Sequence, residues 1–186
     1  MVFEGIAVDR NPPGDIVLIS GIPGSGKTTV ARALAGRFAR AAHVEVDVLQ
    51  QLIVSGGRWP GPDAEDDEAD RQILLRARNA GLLAGSFAAA GFVTVIDDVV
   101  VRREHLAFYR KVVAGHRWHF VVLAPAPEVT VARNTGREKA LAIDWSPLDE
   151  ALREELSGEG HWIDNGEQSI AQTVEAVVAA TGLVVE

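Results

Sequence analysis

The chain has 186 residues, a formal net charge of −8 and no cysteine. This length suits one compact domain with its own core, and the lack of cysteine excludes disulfides, thiol nucleophiles and cysteine-bound metals. A nucleic-acid partner is not expected, because a protein that binds nucleic acid usually needs a basic surface that neutralises phosphates. With no apolar run of the roughly 18 residues that a membrane span needs, and no signal-peptide pattern, we expect a cytoplasmic protein.

Apolar runs alternate along the chain with segments of helical periodicity. Residues 1–14 end in a Pro/Gly turn, so we expect an N-terminal extension over 1–14 and one domain over 15–186. Strands are predicted at 15–20, 43–46, 92–96, 118–124 and 161–163. Helices are predicted over about 27–42, 47–54, 65–90, 103–114, 128–134, 147–156 and 169–180. Continuously apolar strands separated by helices predict an α/β fold, in which a parallel sheet is covered on both faces.

The segment between the first strand and the first helix matches the whole pattern G-x-x-x-x-G-K-[ST]. Its glycines let the backbone approach phosphate oxygens, and successive N–H groups at a helix start form an anion-binding nest. Lys27 is predicted to reach the β- and γ-phosphates of ATP, and the Thr28 hydroxyl to bind Mg²⁺. The predicted cofactor-binding residues of this loop are Gly21, Pro23, Gly24, Ser25, Gly26, Lys27, Thr28 and Thr29.

Acidic residues follow the second and third predicted strands, where the ligands of a parallel sheet bind. Asp47 is suited to orient an acceptor hydroxyl and take its proton, and an N-cap role for the next helix is compatible with this. Asp97 ends an apolar strand, the arrangement in which an acid holds Mg²⁺ through water, although many apolar strands end in Asp without this role. Asp98 either replaces Asp97 or faces the acceptor.

Arginines follow the third and fourth predicted strands. Arg133 and Arg137 lie one helical turn apart and are predicted to form a lid that stabilises the charge of a transferred phosphoryl group. An ordinary charged surface helix is the alternative, and one of the two arginines can instead stack on adenine. Arg102 either reaches an acidic substrate or a phosphate, or begins a solvated helix.

The segment after the second predicted helix is the candidate acceptor region. Trp59 lies there in a Pro/Gly loop and either stacks on an acceptor ring or packs against the long helix that follows. The five histidines lack metal-ligand spacing and are expected on the surface or in the core. The predicted substrate-contacting residues are Asp47, Trp59, Asp98 and Arg102.

Taken together, the phosphate loop, the acids after strands two and three and the Arg-x-x-x-Arg lid resemble small P-loop kinases. Among these, the sequence resembles the chloramphenicol phosphotransferase-like and polynucleotide-kinase-like group, with gluconate and shikimate kinases as further relatives. The resemblance spans 15–182 and implies a P-loop NTPase three-layer sandwich, with a five-stranded parallel sheet in the order 2-3-1-4-5 and a short lid. It also implies that Asp47 activates the acceptor, that Arg133 and Arg137 are the lid arginines, and that Asn165 lies in the loop beside adenine.

This resemblance implies an enzyme that moves the γ-phosphoryl group of ATP, with Mg²⁺, to a hydroxyl of a small molecule such as an antibiotic or metabolite. Two alternatives stay open: an ATP-binding resistance or regulatory module without transfer, and a nucleotide or polynucleotide 5′-hydroxyl kinase. The acidic region 55–80 lacks the basic channel that polynucleotide ends need, and the guanine-specifying pattern Asn-Lys-x-Asp is missing. The acceptor and the choice between monomer and homodimer stay open.

Overall fold

The computed structural model describes residues 12–59, 66–135 and 144–185. Its strands are β1 (Ile16–Ser20), β2 (Ala41–Glu45), β3 (Val93–Asp97), β4 (Trp118–Leu123) and β5 (His161–Ile163). Its helices are α1 (Lys27–Ala35), α2 (Val46–Gln51), α3 (Asp67–Ala89), α4 (Arg103–Val112), α5 (Pro127–Thr135), α6 (Ser146–Leu156) and α7 (Ile170–Thr181).

The strands of the described residues form one parallel sheet in the order β2-β3-β1-β4-β5. Every residue of β1 is buried, as expected for a central strand that helices cover on both faces. The predicted α/β fold and the predicted strand order are therefore confirmed. Because β1 is the central strand, the phosphate loop that follows it lies in the middle of the row of carboxyl strand ends.

Two apolar cores lie on opposite faces of the sheet, because alternate residues of a strand point to opposite faces. Ile16 and Leu18 of β1 belong to a core that also contains Leu106 of α4 and Leu152 of α6. Val17 and Ile19 of β1 belong to a second core, which contains Leu34 of α1 and residues of α7. Burial on both faces fixes the register of β1 and therefore the position of the loop that follows it.

The boundaries around β2 differ from the predicted ones. Helix α1 ends at Ala35, where the backbone N–H of Gly36 bonds to the Arg32 carbonyl, so β2 begins earlier than predicted. Helix α2 then begins at Val46 with Glu45 at the N-cap. Asp47 therefore lies in the first turn of α2, and the N-cap role considered for it is wrong. A negative charge in the first turn of a helix still interacts favourably with the helix dipole.

At the amino terminus, residues 1–11 of the predicted extension lie outside the described residues, so that assignment stays a prediction. The backbone N–H of Gly14 donates to the Ala88 carbonyl at the end of α3 (2.9 Å). Among the described residues, no helix has the length and apolar character that crossing a membrane requires.

Candidate functional site

The loop between β1 and α1 is shaped to surround an anion. Gly24 and Gly26 adopt φ values of 89° and 94°, in the left-handed region that favours glycine. Gly21 packs so closely that an added Cβ would lie 2.5 Å from the Leu123 carbonyl oxygen. Helix α1 begins at Lys27 with no side-chain cap and no acidic residue in its first turn. A helix start without a side-chain cap favours an anion in front of it.

Thr28 and Asp97 meet beneath this loop. The Thr28 hydroxyl donates to Asp97 Oδ2 at 2.6 Å, and Asp97 is buried. A hydroxyl and a carboxylate are the hard oxygen donors that Mg²⁺ prefers, and this ion typically takes only one or two carboxylates besides water and phosphate oxygens. The described residues contain no group of three acidic or histidine side chains that could hold a metal ion. The donor pair therefore fits a Mg²⁺ ion that is shared with a nucleotide, rather than one enclosed by protein.

His43 of β2 contacts the other oxygen of the same carboxylate. Its Nε2 lies 2.7 Å from Asp97 Oδ1, so each carboxylate oxygen has a partner. The sequence places His43 among histidines that are expected on the surface or in the core, and does not predict this contact. The contact follows from the register of the sheet, in which Glu45 pairs with Asp97 and His43 shares the face of Glu45, and the sequence alone does not give this register.

A cavity of about 130 Å³ lies in front of the phosphate loop. Its wall contains Pro23, Gly24, Gly26, Lys27, Thr28, Asp47, Asp97, Asp98 and Val99. The structure thus brings the phosphate loop and the acids that follow β2 and β3 to one place. Lys27 Nζ donates to the Ile22 carbonyl at 3.2 Å, which holds its side chain along the loop.

Asp47 stands at this cavity with a solvent-exposed side chain. Partial desolvation by the surrounding protein raises the pKa of its carboxyl; the Arg76 and Lys27 charges oppose this rise, and the Asp98 and Asp97 charges add to it. A carboxylate with a raised pKa is a stronger base than an ordinary aspartate. Asp47 combines this property with access to solvent and to the phosphate loop.

Two hydrogen bonds fix the Asp98 side chain in the cavity wall. The Tyr109 hydroxyl of α4 donates to Asp98 Oδ2 at 2.8 Å, and the Val99 N–H donates to Oδ1 at 2.8 Å. Burial, the Asp98 charge and the hydrogen bond to it raise the pKa of Tyr109 well above its ordinary value, so Tyr109 remains a donor. Asp98 is thus a fixed acidic part of the cavity wall.

Arg76 of α3 is a second residue that the sequence does not predict. Its side chain is buried, and its Nη2 lies 3.8 Å from Asp98 Oδ1, beyond hydrogen-bond distance. Arg76 Nε has no hydrogen-bond partner among the described residues. An arginine in the middle of a long amphipathic helix gives no sequence signal of its own. Its proximity to Asp98 results from the packing of α3 against β3.

Trp59 lies over Arg76. The guanidinium carbon is 5.6 Å from the centroid of the Trp59 ring, which is a cation–π distance, and Trp59 is 53% exposed. The ring therefore contacts α3, as the packing alternative predicts, and it also keeps the exposed surface that stacking on an acceptor requires. Two buried glutamines fix this loop: Gln50 Nε2 donates to the Arg58 carbonyl (2.9 Å), and the Arg58 N–H donates to Gln72 Oε1 (2.7 Å).

A second pocket of about 220 Å³ lies on the other side of the phosphate loop. Its wall contains Gly24, Gly26, Thr29, Val30, Arg133, Asn165, Gln168, Ile170 and Thr173. Asn165 Nδ2 donates to the Ser25 carbonyl at 2.9 Å and ties the segment after β5 to the phosphate loop. Arg133 Nη2 donates to the carbonyl oxygens of Asn165 and Gly166 at 3.0 and 3.3 Å. Arg133 therefore lies at this second pocket.

The structure does not bring Arg102 to the cavity. Arg102 is at the N-cap of α4 with its side chain 70% exposed, and it pairs with Glu155 at 3.6 Å instead of lining the cavity. Arg137 lies outside the described residues, so its lid role stays a prediction.

Solved structures share this architecture at low sequence identity. A sugar kinase from Janibacter sp. HTCC2649 has 22% identity and a TM-score of 0.68, covering 93% of this chain and 96% of its own. The tunicamycin resistance protein of Deinococcus radiodurans has 21% identity and a TM-score of 0.67, covering 95% and 98%. The Mycobacterium tuberculosis APS kinase in complex with AMPPNP and APS has 20% identity and a TM-score of 0.67, covering 92% and 99%. Likeness at this level establishes the fold.

Among curated proteins, none matches the sequence significantly. The AAA domain family matches residues 16–155, a stretch that contains the phosphate loop and every acid of the cavity. The chain belongs to the AAA domain family and has the P-loop NTPase α/β fold of the kinases that it resembles.

Proposed function

We propose that the protein transfers the γ-phosphoryl group of ATP to a hydroxyl group of a small molecule, with Mg²⁺ as cofactor. The observation that carries this proposal is one cavity in which Lys27 and Thr28 of the phosphate loop face Asp47. A protein that only binds a nucleotide needs the loop but has no need of a basic carboxylate facing it.

In this proposal the backbone N–H groups of the phosphate loop and the start of α1 bind the β- and γ-phosphates. Lys27 adds a positive charge that stabilises the oxygens of the transferred group. Thr28 and Asp97 are the residues that would hold Mg²⁺, an ion that neutralises phosphate charge when it is bound. The hydrogen bond between them keeps the Thr28 hydroxyl and the Asp97 carboxylate on the same side of the loop.

Asp47 acts on the acceptor. Its carboxylate accepts the proton of the acceptor hydroxyl while that oxygen forms a bond to the γ-phosphorus, and ADP leaves with the electrons of the broken bond. The raised pKa of Asp47 supports this role, because the proton must move to a base that competes with water. Asp98, fixed by Tyr109, faces the same space and is suited to orient a second polar group of the acceptor.

The acceptor is proposed to lie between Asp47 and the Trp59–Arg76 pair. A half-exposed indole offers a flat surface on which a ring can stack, and Arg76 supplies buried donors next to it. The structure does not support the predicted substrate contact of Arg102, because its side chain pairs with Glu155 at the surface. An antibiotic or a metabolite with a hydroxyl group is the proposed class of acceptor, as in the chloramphenicol phosphotransferase-like group.

The second pocket is the proposed adenine site. Asn165 and Arg133 border it, and the phosphate loop separates it from the acceptor cavity. Arg133, which bonds to the segment after β5, is therefore proposed to contact the nucleoside, and Arg137 to contact the phosphates. A cytoplasmic monomer or homodimer is the proposed state of the protein.

The proposal is tested by incubating the protein with ATP, Mg²⁺ and a broad panel of hydroxyl compounds, and by following ADP formation. Acceptor-dependent ADP formation supports a kinase. Tight ATP binding without a phosphorylated product would indicate the alternative ATP-binding module. A 5′-hydroxyl oligonucleotide belongs in the panel, and we expect no transfer to it because of the net charge of −8.

A further inference from the structure

We propose that His43 is a positioning residue, which holds the Asp97 carboxylate in the orientation that Mg²⁺ binding requires. The inference rests on the proposed function, because it takes Asp97 as a metal-holding residue. It adds a residue that the phosphate-loop pattern does not contain and that lies on β2, whereas Thr28 lies on α1 and Asp97 on β3.

The geometry leaves His43 one role in the contact. An ionised carboxylate only accepts hydrogen bonds, so the ring nitrogen 2.7 Å from Asp97 Oδ1 must be the donor. Thr28 donates to the other oxygen, Oδ2. With a donor on each oxygen, the carboxylate plane cannot swing about the Cβ–Cγ bond, a torsion that otherwise has broad minima.

The two oxygens of the Asp97 carboxylate also face different neighbours. Oδ1 faces the β2 side and is occupied by His43, while Oδ2 faces Thr28 and the phosphate loop. Without His43, we expect the carboxylate to sample orientations in which neither oxygen is directed at the proposed metal site. Partners of metal ligands fix ligand orientation in this way, and their loss typically weakens metal affinity by about 10- to 100-fold.

A purely structural role would be to join β2 to β3. The two strands are already joined by continuous parallel pairing from Ala41 to Glu45, including the register pair Glu45 with Asp97. The sheet therefore does not depend on this side-chain contact for its order. A structural role and a positioning role differ in one measurable quantity, the concentration of Mg²⁺ at which ATP stabilises the protein.

The experiment compares the whole chain with His43→Gln and His43→Leu. Gln keeps an N–H donor at the end of a side chain of similar reach, and Leu removes the donor. His119→Leu is the matched control: His119 is a strand histidine whose side chain is 14% exposed, compared with 13% for His43, and it lies 3.6 Å from Asp15. At fixed ATP, the midpoint melting temperature is measured as Mg²⁺ is increased, and again with EDTA in place of Mg²⁺.

We expect His43→Leu to raise the Mg²⁺ midpoint by about 10-fold or more, with His43→Gln restoring most of the loss and His119→Leu matching the wild-type midpoint. ATP binding in EDTA should be the same in all four proteins. An unchanged Mg²⁺ midpoint in His43→Leu, or an equal loss in Gln and Leu, overturns the positioning role. If His43→Leu does not fold, His43→Asn replaces it, because its shorter amide cannot reach Asp97.

The two proposals fail in distinguishable ways. If the wild-type protein shows no Mg²⁺-dependent stabilisation by ATP, the proposed function is wrong and the inference falls with it. If the wild-type protein shows that stabilisation and His43→Leu shows the same midpoint, only the role of His43 is wrong.

Discussion

The Thr28 hydroxyl donates to Asp97 Oδ2 at 2.6 Å, across 69 residues of sequence. This contact joins the helix that follows β1 to the end of β3, two neighbouring strands of the sheet. It places the two side chains that are proposed to hold Mg²⁺ at the floor of the cavity that Asp47 borders.

Lys27→Ala should remove most of the stabilisation that Mg²⁺-ATP gives to the protein. A ligand at about 100 times its Kd stabilises the folded state by about 2.7 kcal/mol, and loss of the loop lysine removes the main cationic contact to the phosphates. Melting temperatures with and without Mg²⁺-ATP measure this. Without the nucleotide the variant should melt close to the wild type, and an ATP-induced shift equal to that of the wild type would contradict the role of Lys27.

Asp47→Asn should make the protein slightly more stable at neutral pH. Since desolvation raises the pKa of Asp47 in the folded state, the folded protein keeps this proton to a higher pH than the unfolded chain does. The ionised carboxyl therefore costs stability above both pKa values, and this cost disappears as the pH falls below the ordinary range of an aspartate. The effect is small because the side chain is solvent-exposed.

Chemical denaturation of Asp47→Asn and of the wild type at several pH values measures this difference. We expect the advantage of the Asn variant at neutral pH to shrink on acidification. An advantage that grows on acidification would mean that the pKa of Asp47 is lowered rather than raised.

Tyr109→Phe should destabilise the protein by about 1–3 kcal/mol, the cost of leaving a buried polar partner unsatisfied. The ring still fills the core, so the loss reports the hydrogen bond to Asp98 rather than a cavity. Urea unfolding measures the change. Wild-type stability in this variant would show that Asp98 does not need the Tyr109 donor.

Trp59→Ala should raise the KM for the acceptor about 10-fold, the change expected when a stacking contact of roughly 1–3 kcal/mol is lost, while the KM for ATP stays near the wild-type value. The half-exposed ring lies against Arg76, whose guanidinium approaches Asp98 of the cavity wall, and it is part of neither pocket wall. Steady-state kinetics with each substrate varied in turn separates the two effects. A rise confined to the KM for ATP would place Trp59 at the nucleotide instead.

The parts of the fold and site that the sequence predicts are those whose signal is local. The phosphate loop is a contiguous pattern between a buried strand and a helix, Asp47 follows the short predicted strand 43–46, and Asp97 follows the apolar run 92–96. The boundary of β2 was predicted less well, because apolar residues continue past the end of α1 at Ala35 and periodicity alone does not reveal a helix end.

The residues that the sequence does not predict depend on contacts between distant segments. Arg76 faces Asp98 only because α3 packs against the sheet at that height, and His43 reaches Asp97 only because β2 and β3 pair in this register. Arg102 shows the converse: its position after β3 suggested the cavity, but its side chain pairs with the half-buried Glu155 of α6 at the surface.

The most direct test of the proposed function is phosphoryl transfer to the hydroxyl compound that stimulates ADP formation, compared between the wild type and Asp47→Asn. Mass spectrometry and ³¹P NMR of the recovered acceptor measure the product. We predict that the wild type adds one phosphoryl group to the acceptor, and that Asp47→Asn binds Mg²⁺-ATP normally but transfers about 10²- to 10⁴-fold more slowly, as expected for loss of a general base. An unchanged rate in Asp47→Asn, or ADP formation without a phosphorylated acceptor in the wild type, would contradict the proposed mechanism.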